Sequence, residues 1–197
     1  MKQHISVLVL FVLLVLCLTA ALAAEVAQPD RARLDAIEQT LSAGVPRVLC
    51  LDESFTTGGQ PTGDAYVKAA GSGFRSVLSL RTSSEGVDLI RERAQVESNK
   101  LSYFNIPVNS SSPRSEQADE FLRLTRNKAN HPMLINCASA VRVGAFMMIL
   151  RVVDQGWTEE KALAEAIKIG LASEGLKKFA KDYIAAKKRS GVKAVAE

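Results

Sequence analysis

The residues with the clearest chemistry in this sequence are Cys137 and Arg142, which are separated by four residues and lie between two apolar runs. Residues 132–136 predict a short buried strand, and residues 141–150 predict a buried helix. Ligands of α/β proteins bind at the carboxyl ends of strands, and the amides that open a helix attract anions. A guanidinium in the first helical turn can hold two oxygens of an oxyanion. The pattern therefore predicts an anion-binding loop with a cysteine at its base.

The loop between these two residues is built from small side chains, which let the backbone curve around an anion without obstruction. The predicted substrate-binding groups are the amides of Ala138, Ser139, Ala140, Val141 and Val143. The helix N-terminus and the arginine also favour the thiolate of Cys137, which makes it the candidate nucleophile. A buried cysteine with a purely structural role is the alternative interpretation, because free cysteines commonly lie in protein cores.

Charge and composition restrict the classes of function. The chain has 197 residues, of which 47% are hydrophobic, and it carries 25 Lys and Arg against 21 Asp and Glu. Residues 175–197 hold seven of these basic residues and two of the acidic ones, so the rest of the chain is close to neutral. A basic tail on a neutral body argues against a nucleic-acid-binding domain.

The first residues predict a targeting segment. Lys2 precedes an uncharged apolar run over residues 5–18, and Ala21 and Ala23 form a small-x-small cleavage signal. This pattern is typical of a secretory signal peptide over residues 1–23, which predicts a periplasmic or secreted protein. An uncleaved membrane anchor is the alternative, since residues 5–24 are long enough to span a bilayer. The basic tail is a second candidate for membrane contact, although a terminal helix packed by one face also accounts for it.

Few metal-ligating or nucleophilic side chains follow the predicted cleavage site. Cys50, Cys137 and His131 are the cysteines and histidine that remain. A zinc site needs about four such ligands, so a Cys/His zinc site is excluded. We also predict no cofactor. A Ser-His-Asp triad would depend on His131, which precedes Pro132 at a strand entry and reads as a turn residue. In an oxidising compartment the two cysteines could instead form a disulfide.

Strand and helix patterns alternate along the chain. Strands are predicted at 48–51, 75–81, 101–108 and 132–136, and residues 55–62 read as a turn-rich stretch. Helices are predicted at 30–42, 64–70, 85–99 and 115–128, with two more from residues 158 and 173. This order predicts an α/β fold with a mostly parallel central sheet of four to five strands flanked by helices. We divide the chain into a signal peptide (1–23), a helical segment (24–44), a main domain (45–172) and a basic C-terminal helix or tail (173–197).

Four segments resemble a known family. The Cys-x4-Arg loop, continued by Val143-Gly144-Ala145, is similar to the phosphatase-like domain related to dual-specificity tyrosine phosphatases that occurs in beta-lactamase-hydrolase-like proteins. Segments 58–62 (GGQPT), 73–81 (GFRSVLSLR) and 106–108 (IPV) match the same family in order. The resemblance implies a cysteine-phosphatase-like fold, a phosphocysteine intermediate and no metal. It also implies a phosphorylated small molecule or protein as substrate, with aryl or phosphotyrosine-type esters favoured.

The sequence departs from this family at three positions. Asn136 stands where the family usually has histidine before the cysteine, and Val141 stands where an asparagine often precedes the arginine. Asn109 stands where the phosphatases have the aspartate that protonates the leaving group. Because an amide cannot supply that proton, and such transfer is worth about 10²–10⁴-fold, we expect weak turnover of alkyl phosphates.

Other residues are candidates for accessory roles. Asp119 or Glu116 could replace the missing acid, although both also fit the surface of the following helix. Arg81 either orients the loop or forms a surface pair with Glu85, and Gln60 is predicted to shape the pocket wall.

Three functions follow from the sequence. The first is a phosphoric ester hydrolase. The second is a rhodanese-like sulfurtransferase or persulfide carrier, since those enzymes share the loop length. The third is a non-catalytic or catalytically weak module that binds anions or is controlled by redox state.

Overall fold

Short apolar segments alternate with longer helices in the computed structural model, which describes residues 31–195. The strands are β1 Leu49–Cys50, β2 Phe55–Gly58, β3 Ser76–Ser79, β4 Ser102–Asn105 and β5 Met133–Asn136. The helices are α1 Arg31–Ser42, α2 Gly63–Gly71, α3 Leu89–Ser98, α4 Ser115–Arg126, α5 Val141–Val153, α6 Glu159–Ile169 and α7 Glu174–Val195, and 3-10 turns cover Ser83–Glu85 and Lys128–Asn130. The predicted signal peptide lies outside the described residues.

The five strands form one sheet in the order β1-β2-β5-β3-β4. Strands β2, β5, β3 and β4 run parallel, and β1 pairs antiparallel with β2 at the edge. This confirms the predicted mostly parallel α/β sheet. Strand β5 is central and fully buried, as expected for an apolar strand covered on both faces. The loop that follows it therefore opens at the middle of the carboxyl edge.

The prediction of a turn over residues 55–62 is wrong at its start, because Phe55–Gly58 is a buried strand next to β5. The glycines and threonines of this segment resemble a turn, but Thr56 and Thr57 are buried in the sheet. Gly58 is needed for close packing, since a Cβ at this position would lie 2.3 Å from a methyl carbon of Val45. Glycine occupies this position because Val45 packs against the backbone of the strand, and not because the chain turns here.

Alternating residues of β5 face two separate cores. Met133 and Ile135 pack against α4, α5, α6 and α7, whereas Leu134 faces a second core with Tyr66 and Tyr103. Helix α5 is buried on nearly all sides, and Gly144 lets it pack closely, because a Cβ there would lie 2.6 Å from the carbonyl oxygen of Ala166. Among the helices of residues 31–195, none is both long enough and apolar enough to cross a membrane.

The predicted helix at 85–99 begins later than expected. Asp88 is its N-cap and accepts hydrogen bonds from the amides of Ile90 and Arg91. Gly86, with a φ of 72°, separates this helix from the 3-10 turn that contains Glu85. The result is that Glu85 lies in a loop at the carboxyl edge of the sheet instead of on a helix surface.

Candidate active site

The loop after β5 has the geometry of an anion-binding site. Cys137 is 1% exposed at the end of the central strand, while Ala138 and Ser139 are exposed to solvent. Ala140 is the N-cap of α5 and adopts a left-handed conformation with a φ of 66°. The helical bond from the amide of Gly144 to the carbonyl of Ala140 is 3.0 Å long. The amides of residues 141–143 precede it and have no carbonyl to bind within their own helix, so they are available to an anion.

The neighbouring segment 58–60 holds this loop from one side. The amide of Cys137 donates to the carbonyl of Gly58 at 3.4 Å, and the amide of Gln60 donates to the carbonyl of Ala138 at 3.2 Å. Gly59 and Ser139 form an isolated antiparallel bridge. The segment that the sequence associates with the pocket wall therefore lies directly against the loop.

Arg142 is buried beneath the loop and has one edge in use. Its Nη1 and Nη2 atoms donate to the two carboxylate oxygens of Glu85, each at 2.6 Å. Nη1 also donates to the carbonyls of Leu80 at 2.8 Å and Val108 at 2.7 Å. The Glu85 carboxylate thus takes the Nη1–Nη2 edge of the planar guanidinium. Within residues 31–195 no oxygen accepts from the Nε–Nη2 edge, where two oxygens of an anion held above the sulfur of Cys137 can bind.

Arg142 and Glu85 each stabilise the ionised form of the other. Burial by itself would lower the pKa of Arg142, but the hydrogen bond to Glu85 and the interaction with Cys137 raise it above its ordinary value. Burial by itself would raise the pKa of Glu85, but hydrogen bonds from Arg142 and Thr82 lower it to about 2. The pair is therefore ionised throughout the physiological range, with the sulfur of Cys137 near the cation.

A second guanidinium supports the same carboxylate. Nε of Arg81 lies 2.8 Å from Oε2 of Glu85, and its Nη2 donates to the backbone carbonyl of Glu85 at 3.1 Å. Arg81 therefore forms the predicted pair with Glu85, and Glu85 in turn contacts Arg142 at the start of α5. Its Nη1 also donates to Oε1 of Gln60 at 2.9 Å.

Gln60 connects Arg81 to a buried acid. Its Nε2 donates to Oε1 of Glu92 at 2.7 Å, and Glu92 is 4% exposed. Glu92 also accepts hydrogen bonds from the hydroxyls of Tyr66 at 2.8 Å and Tyr103 at 2.6 Å. Burial raises the pKa of both tyrosines, and the neighbouring carboxylate raises it further, so both hydroxyls remain donors. A continuous chain of contacts therefore runs from the second core to Arg142.

A cavity of about 280 Å³ opens beside Arg142. Its lining residues are Thr82, Ser84, Glu85, Val108, Asn109, Ser110 and Arg142. Asn109 thus lies at the site, as the sequence predicts, and its side-chain oxygen accepts a hydrogen bond from the amide of Ser111 at 2.9 Å. The group at this position is an amide that stabilises its own turn.

Neither substitute acid is among the residues that line the cavity beside Arg142. The carboxylate of Asp119 accepts hydrogen bonds from Tyr183 of α7 at 2.7 Å and from Lys187 at 2.6 Å. These contacts lower the pKa of Asp119, so it is ionised at neutral pH and is committed to α7. These contacts favour the surface interpretation of Asp119 over the accessory role in the site. Glu116 is also exposed and lies near Arg114.

Cys50 and Cys137 do not form the disulfide that the sequence leaves open, because both are free. Cys50 pairs with Thr56 across β1 and β2, and Thr56 pairs with Leu134, three residues before Cys137. Two strand spacings and three residues along the sheet separate the cysteines by roughly 14 Å, far beyond the approximately 7 Å limit of a disulfide. Cys50 instead accepts a hydrogen bond from the hydroxyl of Thr56.

Three features of the site are not evident in the sequence. The sequence indicates Glu85 only as a partner of Arg81, although its bidentate contact is with Arg142, 57 positions later. Glu92 lies on a helix that reads as charged surface, and its burial depends on tyrosines from two other elements. Asn136 is fully buried before the cysteine, and within residues 31–195 neither polar atom of its side chain has a hydrogen-bond partner.

Comparison with known proteins gives a family and a fold. Residues 28–188 match the sequence model of a family described as a DSP-PTPase phosphatase fused to NAD+ kinase. No curated protein matches the sequence.

Several solved structures are similar at low sequence identity. A DUF442 protein of Shewanella putrefaciens CN-32 is 18% identical, with a TM-score of 0.64 over 76% of this chain and 98% of its own. The core catalytic domain of the PP-IP phosphatase SIW14 of S. cerevisiae, in complex with citrate, is 16% identical, with a TM-score of 0.62 over 77% of this chain and 95% of its own. P. aeruginosa TpbA, in complex with phosphotyrosine, is 18% identical, with a TM-score of 0.56 over 70% of this chain and 82% of its own. These similarities confirm the cysteine-phosphatase-like fold.

Proposed function

Because the chain belongs to the family of DSP-PTPase phosphatases fused to NAD+ kinase, we propose that it is a Cys-dependent phosphatase that hydrolyses phosphoric monoesters of the aryl or phosphotyrosine type. The observation that carries this proposal is the arrangement of Arg142. Its buried guanidinium gives one edge to Glu85, keeps the other for an oxyanion, and interacts with the sulfur of Cys137.

The proposed reaction has two steps. In the first, the thiolate of Cys137 attacks phosphorus, a sulfur–phosphorus bond forms, and the ester oxygen leaves with the bonding electron pair. The amides of residues 141–143 and the free edge of Arg142 hold the non-bridging oxygens. In the second, water attacks phosphorus, inorganic phosphate is released and the thiolate is restored.

The residues beside the loop suggest which esters react. Asn109 lines the cavity next to Arg142 but cannot donate a proton as an acid does. The leaving group must therefore depart as an anion or take its proton from solvent. A phenolate departs far more readily than an alkoxide, and the complex of TpbA with phosphotyrosine shows that the fold accepts an aryl ester in that protein. This favours aryl over alkyl phosphates for the present chain.

The narrower resemblance to beta-lactamase-hydrolase-like proteins remains a prediction, since the family model that matches is a different one. The location also remains a proposal. The apolar N-terminal run and its small-x-small end support export to the periplasm or secretion. Cell fractionation followed by mass measurement of the protein tests this: a periplasmic or secreted product that lacks residues 1–23 supports export, and a full-length product in the membrane fraction contradicts it.

An aryl-phosphate assay under reducing conditions tests the activity. We expect p-nitrophenyl phosphate hydrolysis by wild type, and loss of that hydrolysis in Cys137→Ser and Arg142→Ala. Cys50→Ser is the matched control, because Cys50 is equally buried but lies in the edge strand away from the loop. Inactive wild type, or equal activity in all variants, would refute the proposal. Thiosulfate:cyanide transfer by the same proteins would instead support the sulfurtransferase alternative.

A further inference from the structure

Arg47 has an unusual backbone for its residue type. Its φ is 54°, in the left-handed region that suits glycine and asparagine and is uncommon for residues with long side chains. The side chain is exposed, and it has neither an ion pair nor a hydrogen bond with any part of residues 31–195. The other guanidiniums at this edge of the sheet, Arg81 and Arg142, both contact Glu85. Arg47 therefore differs from them in having its charge uncompensated.

Arg47 lies beside the anion-binding loop. The carbonyl of Pro46 accepts a hydrogen bond of 2.6 Å from Gly59, which in turn bridges to Ser139 of the loop. The side chain reaches further along the same loop. A Cβ placed on Gly170 would lie 3.2 Å from Nη2 of Arg47 and 3.4 Å from atoms of Ala140. The guanidinium and the N-cap of α5 therefore approach the same point.

We propose that Arg47 forms a second anion subsite, which binds a second phosphoryl group of a small polyphosphorylated substrate while the loop holds the phosphoryl group that is hydrolysed. The proposal rests on the proposed function, and it adds that the ester which is hydrolysed carries a second phosphoryl group elsewhere in the same molecule. Guanidinium groups bind phosphate oxygens through paired N–H donors, and an exposed arginine without an internal partner is free to do so. A substrate with a single phosphoryl group would leave this charge unused.

A structural role for Arg47 is the competing explanation. Its guanidinium lies near Gly170, at the C-terminus of α6, where a cation is favourable to the helix dipole. Such a role would appear as a change in thermal stability that is the same with and without ligand. A subsite would appear as a change in the relative affinity for ligands with one and several phosphoryl groups.

Binding measurements on the Cys137→Ser protein separate these explanations without requiring turnover. Isothermal titration calorimetry with inorganic phosphate and with tripolyphosphate gives the ratio of the two affinities. We expect Arg47→Ala to reduce the preference for tripolyphosphate by at least tenfold, and Arg47→Lys to restore part of it. Arg75→Ala is the matched control, because Arg75 is an exposed arginine before the start of β3, at the opposite edge of the sheet, and should leave the ratio unchanged.

The outcomes are distinct. An unchanged ratio in Arg47→Ala, or the same change in Arg75→Ala, would overturn the subsite. If the wild-type protein lacks phosphatase activity but the ratio still depends on Arg47, the proposed function fails and the anion subsite stands. If the protein hydrolyses aryl phosphates and the ratio does not depend on Arg47, the phosphatase stands and the inference about its substrate fails.

Discussion

Replacement of Glu85 by glutamine removes the charge that holds Arg142 while keeping the size of the side chain. The carboxylate receives hydrogen bonds from both Nη atoms of Arg142 at 2.6 Å and lies 2.8 Å from Nε of Arg81. A glutamine has a single oxygen acceptor, and its amide nitrogen would face a guanidinium nitrogen. We therefore expect Arg142 to lose the orientation that leaves its Nε–Nη2 edge available to substrate.

The pKa of Glu85 sets the size of the stability effect. Its depression from 4.5 to about 2 corresponds to roughly 3 kcal/mol. Because the side chain is 26% exposed, solvent screening reduces this to about 1–2 kcal/mol. A carboxylate whose pKa is lower in the folded state than in the unfolded state stabilises the folded protein at pH values above the unfolded-state pKa. This contribution is complete above pH 4.5 and is lost as the pH falls toward 2.

Two measurements check this prediction. Urea unfolding between pH 2 and pH 7 should show that wild type loses about 1–2 kcal/mol more than Glu85→Gln as the pH falls. Hydrolysis of p-nitrophenyl phosphate should show kcat/KM reduced by about 10- to 100-fold in the variant. This is less than the roughly 10²–10³-fold loss for removal of an oxyanion donor, because Arg142 is displaced and not removed. Parallel stability curves together with an unchanged kcat/KM would refute the reasoning, because Glu85 would then neither stabilise nor orient Arg142.

Three further predictions concern other parts of the site and the sheet. Asn109→Asp should raise kcat for alkyl phosphates by about tenfold or more, because the aspartate supplies a general acid. The kcat for aryl phosphates with good leaving groups should change much less. An equal change in kcat for both classes of ester would contradict this prediction. Burial raises the pKa of Cys50 to about 11, so the unfolding free energy should fall by about 2–3 kcal/mol between pH 9 and 11. Cys50→Ser should lack this part of the alkaline slope in urea titrations. Glu92→Gln should lower kcat/KM for an aryl phosphate by about three- to tenfold. The carboxylate of Glu92 accepts from the amide nitrogen of Gln60 and so directs the amide oxygen toward Arg81, and a glutamine at position 92 would not fix this orientation. A double-mutant cycle with Arg81→Lys checks this last prediction, and additive effects would contradict it.

Much of the fold follows from local sequence patterns. Residues 132–136 are apolar because β5 is covered on both faces, and α5 is apolar because it is buried on nearly all sides. Strand, small loop, arginine and helix are contiguous, so the sequence alone predicts the anion-binding loop. The sequence does not predict the strand at Phe55–Gly58, because Gly58 looks like a turn residue. Its lack of a side chain instead lets Val45 pack against the strand, and this contact depends on the tertiary structure.

The contacts that orient Arg142 could not be predicted in this way. Glu85 is 57 positions from Arg142, and Glu92 is 32 positions from Gln60. Neither acid shows a periodicity or a motif that distinguishes it from the surface acids around it. Their burial depends on where the 3-10 turn and α3 pack over the sheet, which is a property of the assembled fold. Asp119 shows the converse, since it is close in sequence to Asn109 but its carboxylate contacts Tyr183 and Lys187 of α7.

The alternation of charge along this chain of contacts explains how a buried arginine can serve an anion site. Arg142 and Arg81 both form an ion pair with Glu85. The side chain of Gln60 accepts a hydrogen bond from Arg81 and donates one to Glu92. Each buried charge has an opposite charge or an aligned amide beside it, so the desolvation of Arg142 is offset before any ligand arrives. The free edge of Arg142 is thereby fixed in advance toward the loop. Binding of the phosphoryl group and its attack by Cys137 are therefore prepared by the fold, whereas protonation of the leaving group is not. We therefore expect the rate of hydrolysis to depend more strongly on how readily the leaving group departs than on which phosphoryl group is bound.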